Sequence, residues 1–389
     1  MIIQYPENWI VSNDLEKDVA EKIFYLSRGI NDFEFRQDGL EIIINPEISV
    51  SDRLHGDILE LMTKLAESYK LSAHEILEKN DGKVLFTEDP YPELTENSLV
   101  IMTSPGVPVY QGLALNLITG LDKYFREYAL TLGADEHMYP TTLPTLSLIR
   151  SGYLKSFPQH ALLVGTIHHD LESLKAITED YDKYSETGEV DNLISNHTQI
   201  LAPTVCGHCF EIYKNNKISS NKIITATSHC HRHEGSNHTG MDRLQTYLMR
   251  EIIFFGDFEF VKSFQEKILD DCKNILSEWD IKWRVAVASD PFFATGSESK
   301  RAYQTAFRLK YELQCYIPFE DKWIAIASFN HHQDSLVTSY NIDSQDIDKL
   351  NSGCFGVGLD RMLLVLFSQK GTDISRWPSR LVNDLCVVK

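Results

Sequence analysis

The sequence predicts an α/β chain, and three stretches carry that expectation. Residues 223–256, IITATSHCHRHEGSNHTGMDRLQTYLMREIIFFG, read as a strand, a polar loop and a returning strand. Residues 113–133, LALNLITGLDKYFREYALTLG, hold helical spacing of apolar positions until Gly133 supplies a stop. Residues 353–367, GCFGVGLDRMLLVLF, read as a glycine-rich strand running into an apolar helix.

The remaining elements follow in order. Residues 1–95 form a small α/β unit. Residues 14–26 have helical spacing, DFEFRQDGLEIIIN is a hairpin turning at Asp38-Gly39, and 52–69 return to helix. The acidic, proline-bearing TEDPYPELTENS (87–98) marks a boundary, and 96–389 form the larger unit. After the helix at 113–133, MYPTTLPTL is extended, because Pro140 and Pro144 exclude helix. Helices are expected near 146–151 and 170–181, and the polar stretch 177–192 is an exposed helix end and loop. Beyond Val205 strands dominate, interrupted by helices at 258–279 and 300–310. No internal repeat or low-complexity tract is present.

Composition narrows the function. Hydrophobic residues make up 43% of 389, enough for a substantial core. The net charge of −19 repels bulk nucleic acid, since phosphate neutralisation needs Lys and Arg. MIIQYPENW lacks a basic start and a long apolar run, and no segment approaches the roughly 20 apolar residues that span a bilayer, so no membrane role is expected. Seven scattered cysteines, an odd number, argue against a disulfide framework and for a reducing, cytoplasmic home.

Three constellations are candidates for chemistry. In the hairpin, Arg232 and Glu234 precede Tyr247 and Glu251 on the returning strand. A planar guanidinium suits an α-phosphate, an acid a base edge, and an aromatic ring an adenine. The bland alternative is a surface Arg–Glu pair on an ordinary hairpin. In the glycine-rich segment, Gly356 and Gly358 admit close approach and Arg361 stands near the helix start, where a terminal phosphate could sit. The alternative is tight strand–helix packing with a surface arginine. The third constellation is a metal site, with two readings. Cys206, Glu251 and Cys354 each lie beside one of the strands just named and give zinc three ligands with an open fourth position. The local cluster Cys206, Cys209, Cys230 and His231 has the spacing of a ribbon-type structural site, and spacing alone prefers it. His229, His231 and His233 alternate along one strand face, and His331 and His332 follow SFN.

The order of helix plus proline, arginine hairpin and glycine strand with arginine helix resembles the catalytic domain of class II aminoacyl-tRNA synthetases over roughly residues 98–380. SGYLKSFPQ (151–159), LAPTVCGHCFEIY, CHRHE, DRLQTYLMREIIFFG, DPFF (290–293), KYELQCYIP, SFNHHQD and GCFGVGLDR are together similar to one branch. That branch holds the atypical, zinc-dependent seryl-tRNA synthetases and the amino acid:[carrier protein] ligases. The resemblance implies an antiparallel sheet flanked by helices, preceded by the small α/β unit, and a homodimer formed through 113–133 and the strand that follows. It also implies activation of a small amino acid with ATP to an aminoacyl-adenylate, then transfer to the phosphopantetheine thiol of a carrier protein. By resemblance, Cys206, Glu251 and Cys354 hold Zn²⁺, and the substrate amine takes the fourth position. This reading replaces the local cluster. Arg232 meets the α-phosphate, Glu234 and Tyr247 the adenine and Arg361 the γ-phosphate, while Glu251, Ser328 and Asn330 meet the amino acid. Mg²⁺ is implied with ATP, but Ala325 stands where ordinary seryl enzymes place an acid, so its ligands do not carry over.

The small, acidic first unit and the net charge favour the ligase without tRNA over a synthetase that charges tRNA or a non-catalytic relative. An acidic carrier would need a local basic contact, for which Lys300, Arg301 and Arg308 are candidates. A solvated helix face is the alternative for those three.

Overall fold

In the computed structural model the described residues are all but 11–12, 25, 28, 72–74, 180–194, 196–197, 220, 235–239, 289–303, 306 and 387–389. The first unit is built from β1 (Ile2–Gln4), α1 (Asn13–Ile23), β2 (Ile30–Phe35), β3 (Gly39–Ile44) and α2 (Leu54–Leu71). Its sheet has the order β1-β3-β2. Leu15, Val19 and Ile23 on α1 and Leu54, Ile58, Met62 and Leu65 on α2 recur at helical spacing, and all are buried with Ile3, Leu40 and Ile42. The expected hairpin is present, with Phe35 opposite Leu40.

The larger unit rests on one eight-stranded sheet. Its elements are β4 (Ile76–Asn80), α3 (Gly112–Thr131), β5 (Asp135–Met138), α4 (Cys206–Tyr213), β6 (Lys222–His231), β7 (Thr246–Gly256), α5 (Phe258–Glu278), β8 (Trp283–Val287), β9 (Lys310–Ile317), β10 (Lys322–Gln333), β11 (Asn351–Gly358) and α6 (Leu359–Lys370). The strand order is β4-β8-β9-β10-β11-β7-β6-β5. Every pairing is antiparallel except that of the edge strand β5 with β6, which is parallel. The expected antiparallel sheet is therefore present with one parallel edge. β4 precedes residue 95 in sequence yet is hydrogen-bonded to β8 in this sheet.

Strand alternation decides what each face buries. On β7, Ile252 and Phe254 join α3, α5 and α6 in one core, while Ile253 and Phe255 join α4 in a second. The sheet is buried on both sides, so these strands read as continuous apolar runs. Gly353 is required where it stands: a Cβ there would lie 2.4 Å from the Phe254 ring and 2.8 Å from the Asn330 carbonyl oxygen. Gly133, at φ 81, ends the α3 segment in the left-handed conformation that its sequence position suggests. Asp257 caps α5, its carboxylate accepting from the Phe260 amide at 2.7 Å.

The helix expected at 300–310 is not found over the described part of that range. Gln304 and Thr305 are helical, but Phe307 and Arg308 form a turn and Lys310 begins β9. Arg308 is left-handed at φ 49, which breaks a right-handed helix. Lys300, Arg301 and the DPFF segment lie outside the described residues. Arg308 forms an ion pair with Glu75 at 2.8 Å.

Candidate active site and metal centre

Three adjacent strands and one helix start meet on the sheet face opposite α3. Glu251 comes from β7 and Cys354 from β11, where its neighbour across the ladder is Ile253. Ser328 and Asn330 come from β10, with Asn330 opposite Cys354. Cys206 begins α4. The thiol sulfurs of Cys206 and Cys354 and a carboxylate oxygen of Glu251 all lie within 4.8 Å of one another. The residues far apart in sequence are thus brought together. The local cluster is not: Cys209 and Cys230 are buried in the second core, while His231 turns to the other sheet face and pairs with Thr246 Oγ1 at 3.0 Å.

The backbone prepares this site for negative charge. The Val205 and Cys206 amides donate to the two Glu251 carboxylate oxygens at 3.2 and 2.9 Å. Asn330 Nδ2 donates to Cys354 Sγ at 3.4 Å and to Ser328 Oγ at 3.3 Å. Glu251 is 3% exposed, and no Lys or Arg pairs with it among the described residues. Burial first, and then the neighbouring Cys354, push its carboxyl up to about 8. The two thiols share a proton by hydrogen bonding, which holds Cys354 well below and Cys206 well above the ordinary thiol value. A buried carboxylate and a thiolate without a cationic side chain are a donor set that fits zinc, which takes both thiolate sulfur and carboxylate oxygen.

The nucleotide candidates lie further along the same strands. Tyr247, Met249 and Glu251 share one face of β7, so Tyr247 stands about 13 Å along the strand from Glu251. The Arg232 guanidinium lies 5.6 Å from the centre of the Tyr247 ring, and its Nε donates to the Pro203 carbonyl at 3.1 Å. The buried Tyr247 hydroxyl has no partner among the described residues. Glu234 approaches Arg243 at 3.7 Å. Arg361, in the first turn of α6, is fixed by Nε to the Asp242 carbonyl at 2.8 Å and Nη1 to the Ala325 carbonyl at 2.9 Å. Arg232 with Tyr247, and Asn330 with both Cys354 and Ser328, are therefore direct neighbours, and Arg361 is held separately by backbone oxygens.

Two contributors were given no role from the sequence. His160 accepts from or donates to the Tyr153 hydroxyl at 2.9 Å, and its carbonyl takes the His233 amide at 3.1 Å, which ties the SGYLKSFPQ segment to the arginine hairpin. Burial, then Arg232 and Arg243, push its imidazole down to about 3, so it is neutral. His332 Nε2 lies 3.5 Å from Cys354 Sγ. The period-2 run Ser328, Asn330, His332 was the signal for it.

The tRNA synthetase class II core domain (G, H, P, S and T) matches residues 187–370. Amino acid–[acyl-carrier-protein] ligase 1 of Bradyrhizobium diazoefficiens is 28% identical over 295 residues, 75% of this chain and 89% of that protein. The type-2 serine–tRNA ligase of Methanococcus maripaludis is 23% identical over 370 residues, 92% of this chain and 71% of that protein. In fold, the chain is similar to M. kandleri SerRS as crystallised with A. aeolicus tRNASec. The TM-score is 0.70 at 18% identity, covering 99% of this chain and 76% of that one. The chain is similar to the class II tRNA synthetase core over residues 187–370, and to the amino acid–[acyl-carrier-protein] ligases and the type-2 serine–tRNA ligases.

Proposed function

We propose that this protein activates a small amino acid with ATP and transfers it to the phosphopantetheine thiol of a carrier protein. The observation that carries the reading is the meeting of Cys206, Glu251 and Cys354 within 4.8 Å, beside Asn330 and on the strand that also bears Tyr247. The similarity to amino acid–[acyl-carrier-protein] ligases supports it.

Zinc held by Cys206, Glu251 and Cys354 would supply a Lewis-acid seat for the neutral α-amine of the substrate. Ser328 and Asn330 border that seat and would contact the side chain and carboxylate of the amino acid. The carboxylate oxygen attacks the α-phosphorus of ATP, the bond to the β-phosphate oxygen breaks, and aminoacyl-adenylate and pyrophosphate form. Arg232 would neutralise charge growing on the α-phosphate, with Tyr247 and Glu234 holding the adenine. Arg361 would hold the γ-phosphate, and Mg²⁺ would accompany the nucleotide. The carrier thiol then attacks the carbonyl carbon, its proton passes to solvent, and AMP leaves. No covalent enzyme intermediate is needed, so orientation dominates the chemistry.

We place the enzyme in the cytoplasm as a homodimer. All seven cysteines are free, in keeping with a reducing compartment, and no helix among the described residues is long and apolar enough to cross a membrane. The edge strand β5 ends in Met138, which is 94% exposed, and α3 exposes Leu115 and Leu130. That apolar edge favours a second copy. We keep the division into a small unit, 1–95, and a catalytic unit, 96–389, with β4 crossing into the catalytic sheet.

The second reading is a type-2 serine–tRNA ligase-like enzyme, favoured by the similarity in fold to M. kandleri SerRS. Labelled amino acid and ATP offered with either phosphopantetheinylated carrier protein or tRNA separate the two. Label on the carrier alone is the expected result. Label on tRNA alone would replace this reading with the second.

A further inference from the structure

Strand β10 ends in a one-residue bulge. Asn330 faces Cys354 and His331 faces Gly353, but the next pair is Gln333 with Ser352, so His332 is the extra residue. Gln333 is left-handed at φ 54, which fixes the local bend. The His332 ring meets Phe210 edge-on at 5.9 Å and 68°. Its Nε2 lies 3.5 Å from Cys354 Sγ, and its Nδ1 lies 3.2 Å from Ser352 Oγ.

These contacts settle the tautomer. Ser352 is fully buried, and His332 Nδ1 is the one side-chain partner its hydroxyl has among the described residues. The hydroxyl must donate to Nδ1, because otherwise its own proton would be buried without an acceptor. The imidazole proton is then on Nε2, aimed at the sulfur. Cys354 thus receives two N–H groups, from His332 and from Asn330. His332 is not one of the three ligands whose atoms lie within 4.8 Å of one another.

We propose that His332 is a positioning residue for the metal. It donates to the Cys354 thiolate, fixes that side chain's direction and withdraws charge from the sulfur without itself binding the ion. The fourth position then stays open for the substrate amine. This inference rests on the zinc reading above. It adds a donor outside the ligand set, of the kind that orients metal-bound side chains.

The test uses the full chain loaded with zinc, and the same chain loaded with Co²⁺. Zinc retention is measured by competition with a chromophoric chelator, and the sulfur-to-cobalt charge-transfer band is recorded. His332→Ala should weaken retention by about 10- to 100-fold and move the band to longer wavelength, because the sulfur lone pairs rise in energy. His332→Phe keeps a ring against Phe210 but has no donor, so it should behave like the alanine variant. His332→Gln, with an amide N–H in reach of the sulfur, should restore most of the retention. Wild-type retention and band position in His332→Phe would overturn the inference, as would a glutamine variant as weak as alanine. Wild-type and Cys354→Ala proteins separate the two levels. If the wild type takes up no zinc, the zinc reading itself falls. If only Cys354→Ala loses zinc and the His332 variants do not, this inference alone falls.

Discussion

Glu251 shows how one side chain can be prepared for a cation. Two amides at the start of α4 hold its oxygens, two thiols stand beside it, and its burial disfavours negative charge. A metal ion resolves that conflict better than any neighbouring side chain present. Arg232, proposed for the α-phosphate, stands further along the sheet, packed on Tyr247. Arg232→Ala should slow adenylate formation by an amount equivalent to at least about 3 kcal/mol of transition-state stabilisation, read as amino-acid-dependent pyrophosphate exchange. An unchanged rate would remove Arg232 from the α-phosphate. The proposed metal ligands were not legible from spacing. Cys206, Glu251 and Cys354 are adjacent only because β7 and β11 pair and α4 starts beside them. Local spacing instead favoured Cys206, Cys209, Cys230 and His231, and strand alternation sends His231 to the opposite face. Resemblance supplied what spacing could not.

At the level of elements, helices are fastened to the sheet by buried ion pairs and caps. Arg250 on β7 is 2% exposed and makes two bonds to Asp122 on α3, at 2.7 and 2.9 Å, and a third to Thr225 Oγ1 at 3.3 Å. Asp122→Ala would strand that guanidinium, so we expect a loss of about 3 kcal/mol in urea unfolding. Wild-type stability in the variant would show that water reaches Arg250 freely. At the start of α6, Asp360 accepts from the Tyr110 hydroxyl and from the Leu248 amide at 2.6 Å. Burial pushes its carboxyl up to about 6. Because the folded value lies above the unfolded one, the stabilising contribution is complete below about pH 4 and is lost as pH rises through about 6. The wild type should therefore lose up to about 3 kcal/mol relative to Asp360→Asn between pH 4 and 7. A difference that stays constant across that range would contradict the assignment. Most elements were legible from periodicity: α1, α2, α3 and α5 lie where apolar spacing put them. The helix expected at 300–310 was not, since Arg308 takes a left-handed turn that no periodicity reveals.

The larger unit is a sheet buried on both faces, with α3, α5 and α6 on one side and α4 and the candidate site on the other. Its antiparallel hairpins were visible as paired apolar runs, but the strand order β4-β8-β9-β10-β11-β7-β6-β5 was not, because crossover connections leave no local trace. That order is what places β10, β11 and β7 side by side, and with them Ser328, Asn330, Cys354 and Glu251. A net charge of −19 sets this surface apart from one built for bulk phosphate. The most direct test is amino-acid-dependent ATP–pyrophosphate exchange, measured across the small amino acids with zinc-loaded protein, after chelation, and after zinc is restored. Exchange with at least one of them, lost on chelation and regained with zinc, is the expected result. Exchange that persists in the metal-free protein, or none with any amino acid, would contradict the assignment of Cys206, Glu251 and Cys354 as the seat of the substrate amine.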